Sequence, residues 1–141
     1  MARFAAQWLG WSGRLGRAGY AVQTGVALGL LIAANLAFMG LWLLSPPEWL
    51  PRTVPEMVLN WRSGPALALV LVAAWIALSA SARRLHDLGR SGLWLAVVLV
   101  PEPLVAGAAA VLGGLWLTFA PGEPGANGHG VLHDIMFPAQ V

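Results

Sequence analysis

The sequence predicts an all-α membrane protein with three transmembrane helices, its N-terminus in the cytoplasm and its C-terminal tail outside, and three observations predict it. Hydrophobic residues make up 58% of the 141 positions and charged residues only 10%, against about a quarter charged in an ordinary soluble domain. Long stretches without a single charge recur along the chain. All eight basic residues are arginines, and they sit at the ends of those stretches, which reads as membrane anchoring and excludes a nucleic-acid-binding face. The chain has no Cys, so neither disulfides nor thiol chemistry contribute.

Residues 1–20 read as a basic, Trp-rich interfacial segment. Phe4, Trp8, Trp11 and Leu15 recur at helical spacing, so a short helix could lie in the cytoplasmic interface with that face in lipid. Gly10, Gly13 and Gly16 weaken that helix, so a loosely structured basic arm held by its tryptophans stands equally beside it. The segment ends in Gly13-Arg14-Leu15-Gly16-Arg17-Ala18-Gly19-Tyr20, two Gly-Arg pairs three residues apart with a Tyr at the membrane boundary. Its charges suit anionic lipid headgroups. No strand precedes it and no Gly-Lys-Ser/Thr is present, so a nucleotide loop is a poor reading.

Residues 21–119 form the predicted transmembrane domain, with spans at about 21–44, 64–82 and 93–119. Ala21 to Leu44 is uncharged, and its roughly 36 Å of helix exceeds a hydrocarbon core of about 30 Å. No convincing cleavage site follows it, so it is expected to be retained. Gly64 to Ala82 is the second run, with Pro65 suited to a first helical position and Arg83-Arg84 closing it. The third run is interrupted by Pro101-Glu102-Pro103. Its first piece, at about 12 Å, is too short to cross alone, so one span kinked at Pro101/Pro103 is predicted.

Orientation follows from the arginines. Arg3, Arg14 and Arg17 precede the first span, and Arg83, Arg84 and Arg90 lie between the second and third, so both segments are expected in the cytoplasm. The tail, residues 120–141, is rich in Pro and Gly and lacks arginine, which three spans would put outside. In the loop between the first two spans, Trp49 and Trp61 are candidate headgroup anchors.

The densest polar cluster is Arg83-Arg84-Leu85-His86-Asp87-Leu88-Gly89-Arg90-Ser91-Gly92. If the second helix continues to about Leu88, Arg83 and Arg84 stand four and three residues from Asp87, so two guanidinium groups can share one carboxylate. Gly89 then suits the helix C-cap and Ser91 the N-cap of the next helix. The competing reading makes His86 and Asp87 an acid-base pair or a ligand site, against which adjacent helical positions point in different directions. His129 and His133, four apart with Asp134 following, have a metal-ligand spacing, but Gly128 and Gly130 argue against a helix there. No catalytic residue, metal site or cofactor is predicted.

The run Arg83 to Trp94 strongly resembles the signature of the YhaH/YhaI-type bacterial inner-membrane protein family, domain of unknown function 805. The upstream Gly13-Arg14-Leu15-Gly16-Arg17 and Tyr20 are similar to its paired Gly-Arg stretch, and Pro121 to Gly130 to its Pro-Gly-rich closing segment, with Gly128 and His129 departing from the usual pattern. The resemblance covers most of the chain. It implies a multi-pass protein of the bacterial inner (plasma) membrane with no established activity.

Glu102 departs from the family's usual apolar residue near the third span's proline. A carboxylate at that depth costs on the order of 2.5–3.5 kcal/mol. Its nearest polar residue at comparable depth is Asn35 in the first span; alternatively, water reaches the kink and Glu102 caps the helix beginning at Pro103. Each span also carries a small-residue stripe: Gly25, Gly29, Ala33 and Ala37; Ala73, Ala77 and Ser81; Ala106, Ala110 and Gly114. Such stripes let helices approach closely. The expected function is therefore a non-enzymatic packing or accessory component, a homo-oligomer or a partner of another membrane protein, with its basic face on anionic lipid and no nucleic acid. The alternative is an oligomeric channel or transporter using Glu102.

Overall fold

The computed structural model describes residues 8–46, 53, 56, 63–99, 108–125 and 127–129. Helix α1 spans Arg17–Leu44 and α2 spans Gly64–Asp87. Both are long and apolar enough to cross a membrane, by length and composition. A 3-10 turn over Gly92–Trp94 leads into α3, Leu95–Leu99, and α4 spans Ala108–Phe119. No charged residue and no proline interrupts α1 after Arg17. Pro65 sits in the first turn of α2, where its missing N–H has no helical partner to lose.

The end of α2 is set by backbone chemistry. Gly89 has φ +68°, a conformation glycine adopts at no steric cost. With it, the Arg90 N–H reaches back to the Leu85 carbonyl at 2.8 Å and the Gly89 N–H to that of His86 at 3.1 Å, satisfying carbonyls that the last helical turn leaves open. Ser91 then caps the next turn, its hydroxyl accepting from the Leu93 N–H at 3.3 Å. Both caps are the predicted ones.

The chain divides into two compact units, residues 1–24 with 76–141 and residues 25–75. In the first, Leu15, Tyr20, Ala80, Leu85 and Leu117 form the core, with Leu88 and Leu95 packed against it. In the second, Ala27, Ala34 and Ala73 are buried. There Ala34, Asn35 and Phe38 of α1 and Ser63, Ala66, Leu67 and Val70 of α2 line a common cavity of about 170 Å³.

Three expectations are corrected. The single kinked span over 93–119 is instead a hairpin in its described parts: α3 packs on α4, and Leu95 and Leu117 line one cavity with Leu85 and Trp94. A continuous helix would hold Leu95 and Leu117 about 33 Å apart. An apolar run has the same composition whether it crosses or doubles back, so hydropathy could not separate the two; Pro101, Glu102 and Pro103 lie outside the described residues. The described tail, 120–129, therefore lies at the end where the N-terminal arm and the end of α2 meet, and not opposite them: the Glu123 N–H donates to the Asp87 carbonyl at 2.8 Å. Nor is the described part of the arm, from Trp8 onward, loosely structured. In its described residues Trp8 and Leu9 are helical, as is the stretch from Arg17 that begins α1; Leu15 is buried, and its N–H donates to the Arg83 carbonyl at 3.2 Å. Phe4, Trp49, Trp61 and the tail beyond 129 lie outside the described residues.

Candidate functional site

The last turn of α2 places Arg83, Arg84 and Asp87 in the interior, with Arg84 1% and Asp87 3% exposed. A carboxylate so enclosed needs cationic partners. Asp87 has two. Arg84, one turn earlier, donates through Nη1 to Asp87 Oδ2. Arg14, far away in sequence, donates through Nε and Nη2 to Asp87 Oδ1 at 3.1 and 2.9 Å.

The guanidinium groups then reach outward to main-chain carbonyls. Arg84 donates to Leu117 O at 2.8 Å and to Ala120 O at 2.5 Å. Arg14 donates to Glu123 O at 2.5 Å and to Gly125 O. The planar guanidinium presents its donors in a fixed fork, so one arginine can hold a carboxylate and a turning backbone together. Gly122 is the point of closest approach: a Cβ there would overlap the Asp87 carboxylate.

Around this clasp the remaining signature residues find separate places. Arg83 turns to Gln23 of α1, with Nη2 on Oε1 at 2.5 Å, and its Nε donates to Ser79 O at 3.3 Å. The second guanidinium on Asp87 is thus Arg14, where helical spacing alone had suggested Arg83. Tyr20 is buried, its hydroxyl 3.5 Å from Ser81 Oγ. His86 sets Nδ1 against Gly13 O at 3.1 Å; Gly13 has φ +88°, which suits glycine at that turn.

Arg90 is exposed and lies over the Trp94 ring, 4.9 Å from its centroid. Arg17 is exposed at the start of α1.

The tail completes the site. Asn127 donates to His86 O at 2.9 Å and to Glu123 Oε2 at 3.0 Å, and its own Oδ1 accepts from the His129 N–H at 2.9 Å. His129 stacks on His86, ring centroids 4.2 Å apart and planes within 5°. The expectation that these histidines lie on opposite sides is therefore corrected along with the third span; His133 lies outside the described residues.

Chemically the arrangement positions chain segments. Both Asp87 oxygens are engaged by guanidinium groups, which suits a fixed counter-ion. His86 and Asp87 face different partners and form no acid-base pair. Among the described residues no group of three or more His, Asp or Glu side chains could hold a metal ion.

The other sequence candidates are not drawn in. Asn35 is exposed and donates to Leu31 O of its own helix at 2.9 Å, and Glu102 lies outside the described residues. Gly25 and Gly29 are exposed, with nothing within 4 Å of an added Cβ; the buried face of α1 is Tyr20, Gln23, Ala27 and Ala34. Sequence reasoning missed Gln23, Gly122, Glu123 and Asn127. For Gly122, Glu123 and Asn127 the signal present was the Pro-Gly-rich segment itself, whose turns expose the Glu123 and Gly125 carbonyls that Arg14 needs; Gln23, inside α1, had none.

Comparison with known proteins gives one match: the family model described as "Protein of unknown function (DUF805)" matches residues 8–131, which takes in the Gly-Arg stretch, the Arg83 to Trp94 run and the closing segment. No curated protein and no solved structure matches the chain.

Proposed function

Because this chain belongs to the DUF805 family, whose function is unknown, we propose that it is a non-enzymatic component of the bacterial inner membrane that works by packing against other helices, a second copy of itself first among them. One observation carries this reading. The charged residues of its signature are engaged in holding its own arm, helix end and tail together, with Arg14 and Arg84 on Asp87 and on the carbonyls of Leu117, Ala120, Glu123 and Gly125. They are left little with which to act on a substrate.

In this reading α1 and α2 cross the bilayer. The hairpin of α3 and α4 enters it and returns, a reading supported by the packing of α3 on α4. The clasp lies on the cytoplasmic side, where Arg14, Arg17, Arg83, Arg84 and Arg90 satisfy the positive-inside preference, and it brings the tail to that side. Arg17 and Arg90, both exposed, meet anionic headgroups. The association surface is the face of α1 bearing Gly25 and Gly29, which is open within the chain and lets a second helix approach closely.

The test is the oligomeric state in lipid nanodiscs. The native chain is expected to form a defined oligomer and the Gly25→Ile/Gly29→Ile chain a monomer, since an added Cβ at either position has nothing within 4 Å among the described residues. A native monomer, or an oligomer indifferent to both changes, would end the self-association reading. Sidedness is tested separately. The chain has no Cys and position 128 is exposed, so a Gly128→Cys chain should react with an impermeant maleimide in inside-out vesicles and not in intact spheroplasts. The reverse pattern would place the tail outside.

A further inference from the structure

Among the described residues, the first unit lines a partly open cavity. It has a volume of about 460 Å³ and is lined by Tyr20 and Thr24 of α1, Leu78 and Ser81 of α2, and Val111 and Gly114 of α4, among others. That size falls in the range of ordinary ligand sites, roughly 300–1,000 Å³. Its walls are apolar except for a few hydroxyls. Two of those are satisfied by their own helices: Thr24 Oγ1 donates to Tyr20 O at 2.7 Å and Thr118 Oγ1 to Gly114 O at 2.8 Å. The other two, Tyr20 and Ser81, share a single long contact of 3.5 Å, and each hydroxyl can make further hydrogen bonds.

These groups are ordered along the helix. Arg17, exposed, stands three residues before Tyr20, and Thr24 four residues after it, so all three share one face of α1. Along that face the sequence runs from the exposed guanidinium of Arg17, which lies outside the cavity lining, to the Tyr20 and Thr24 hydroxyls that line it. An anionic phospholipid presents the complementary order of phosphate, ester carbonyls and acyl chain.

We propose that this cavity is a binding site for one anionic phospholipid, with its phosphate at Arg17, its glycerol esters at the Tyr20 and Ser81 hydroxyls, and an acyl chain between α1, α2 and α4. The site rests on the reading of the chain as a membrane protein and adds to it a bound lipid that belongs to the fold. Charge complementarity at Arg17 selects an anionic headgroup over a zwitterionic one. The apolar chamber selects a diacyl lipid over free phosphate.

The experiment is native mass spectrometry of the full chain released from micelles containing equal phosphatidylglycerol and phosphatidylcholine. The native protein is expected to retain one phosphatidylglycerol in preference to phosphatidylcholine. Position 114 has nothing within 4 Å of an added Cβ, so Gly114→Leu fills the chamber without displacing backbone and should lower the lipid-bound fraction at least tenfold, on the order of one lost side chain's burial. Arg17→Gln should keep a bound lipid but lower the headgroup preference about fivefold, the effect of one surface charge. Resistance of Arg14 and Arg84 to trypsin reports that the clasp is intact in each variant; if Gly114→Leu loses it, Ala77→Leu fills the same chamber and carries the test. Retention of phosphatidylglycerol by a folded chamber-filled variant at the native level would overturn the site. So would equal retention of the two lipids by the native chain, and an unchanged preference in Arg17→Gln would overturn the placement of the headgroup. A chain that fails to insert in vesicles fails the membrane reading instead, and the maleimide experiment detects that independently.

Discussion

Residues 1–24 with 76–141 bury Arg14, Gln23, Ser79, Arg83, Arg84 and Asp87, whereas residues 25–75 bury one polar side chain among the described residues, Ser63. The same two helices, α1 and α2, run through both regions. In one they are tied by side chains that must meet a particular partner at a particular distance. In the other they present alanines inward and leave Leu36, Leu43, Leu44, Leu71 and Trp75 exposed. Apolar packing can tolerate a small slip or rotation, because methyl groups make no directional demand. A guanidinium between a buried carboxylate and two carbonyls cannot, and each bond it misses leaves a desolvated polar group. The polar end therefore fixes the register of the helices, and the apolar end leaves their outer faces available.

The comparison can be broken most forcefully at Asp87. Asp87→Asn leaves the Arg14 and Arg84 charges buried without a counter-charge, and removal of one partner from such a group costs about 3–5 kcal/mol. Chemical denaturation in micelles should register that loss, and trypsin should gain access to Arg14 and Arg84. A change under about 1 kcal/mol would mean that the carbonyl bonds alone hold the clasp. The opposite sign is expected in the second region. Ser63 is 5% exposed and its hydroxyl has no hydrogen-bond partner; burying such a group costs about 1–3 kcal/mol. Ser63→Ala should therefore be neutral or stabilising by up to about 1 kcal/mol in the same assay. Destabilisation would show that the hydroxyl serves the start of α2 after all.

Legibility in the sequence followed the same division. The uncharged runs at 21–44 and 64–82 announced α1 and α2, because a run that long without charge has few other structures open to it. Gly89 and Ser91 announced the turn after α2, because left-handed backbone and an exposed N–H each need a specific residue. The pairing of Arg84 with Asp87 was readable from helical spacing. The pairing of Arg14 with Asp87 was not, since the two are 73 positions apart and no local period links them. The run 93–119 misled because its length fits a crossing as well as a hairpin. What distinguishes them is the Arg84 bond to Leu117 O and the Glu123 bond to Asp87 O, contacts between segments that look unrelated in one dimension. Asn127 and Gly122 were hidden for the same reason: each acts on a partner that the chain brings near only after turning back.

The clasp also imposes an order in time. The carbonyls that Arg84 requires belong to residues 33 and 36 positions later in the chain, so during synthesis the end of α2 emerges well before its acceptors exist. In that interval Arg84 has Asp87, three residues on, as its counter-charge but neither of its later carbonyl acceptors. Once the tail has been made, Arg84 takes up the carbonyls of Leu117 and Ala120, and Arg14 those of Glu123 and Gly125. An arginine near the start of the chain and one near its middle thus both wait on its last described segment, and the tail is the piece whose arrival closes the clasp.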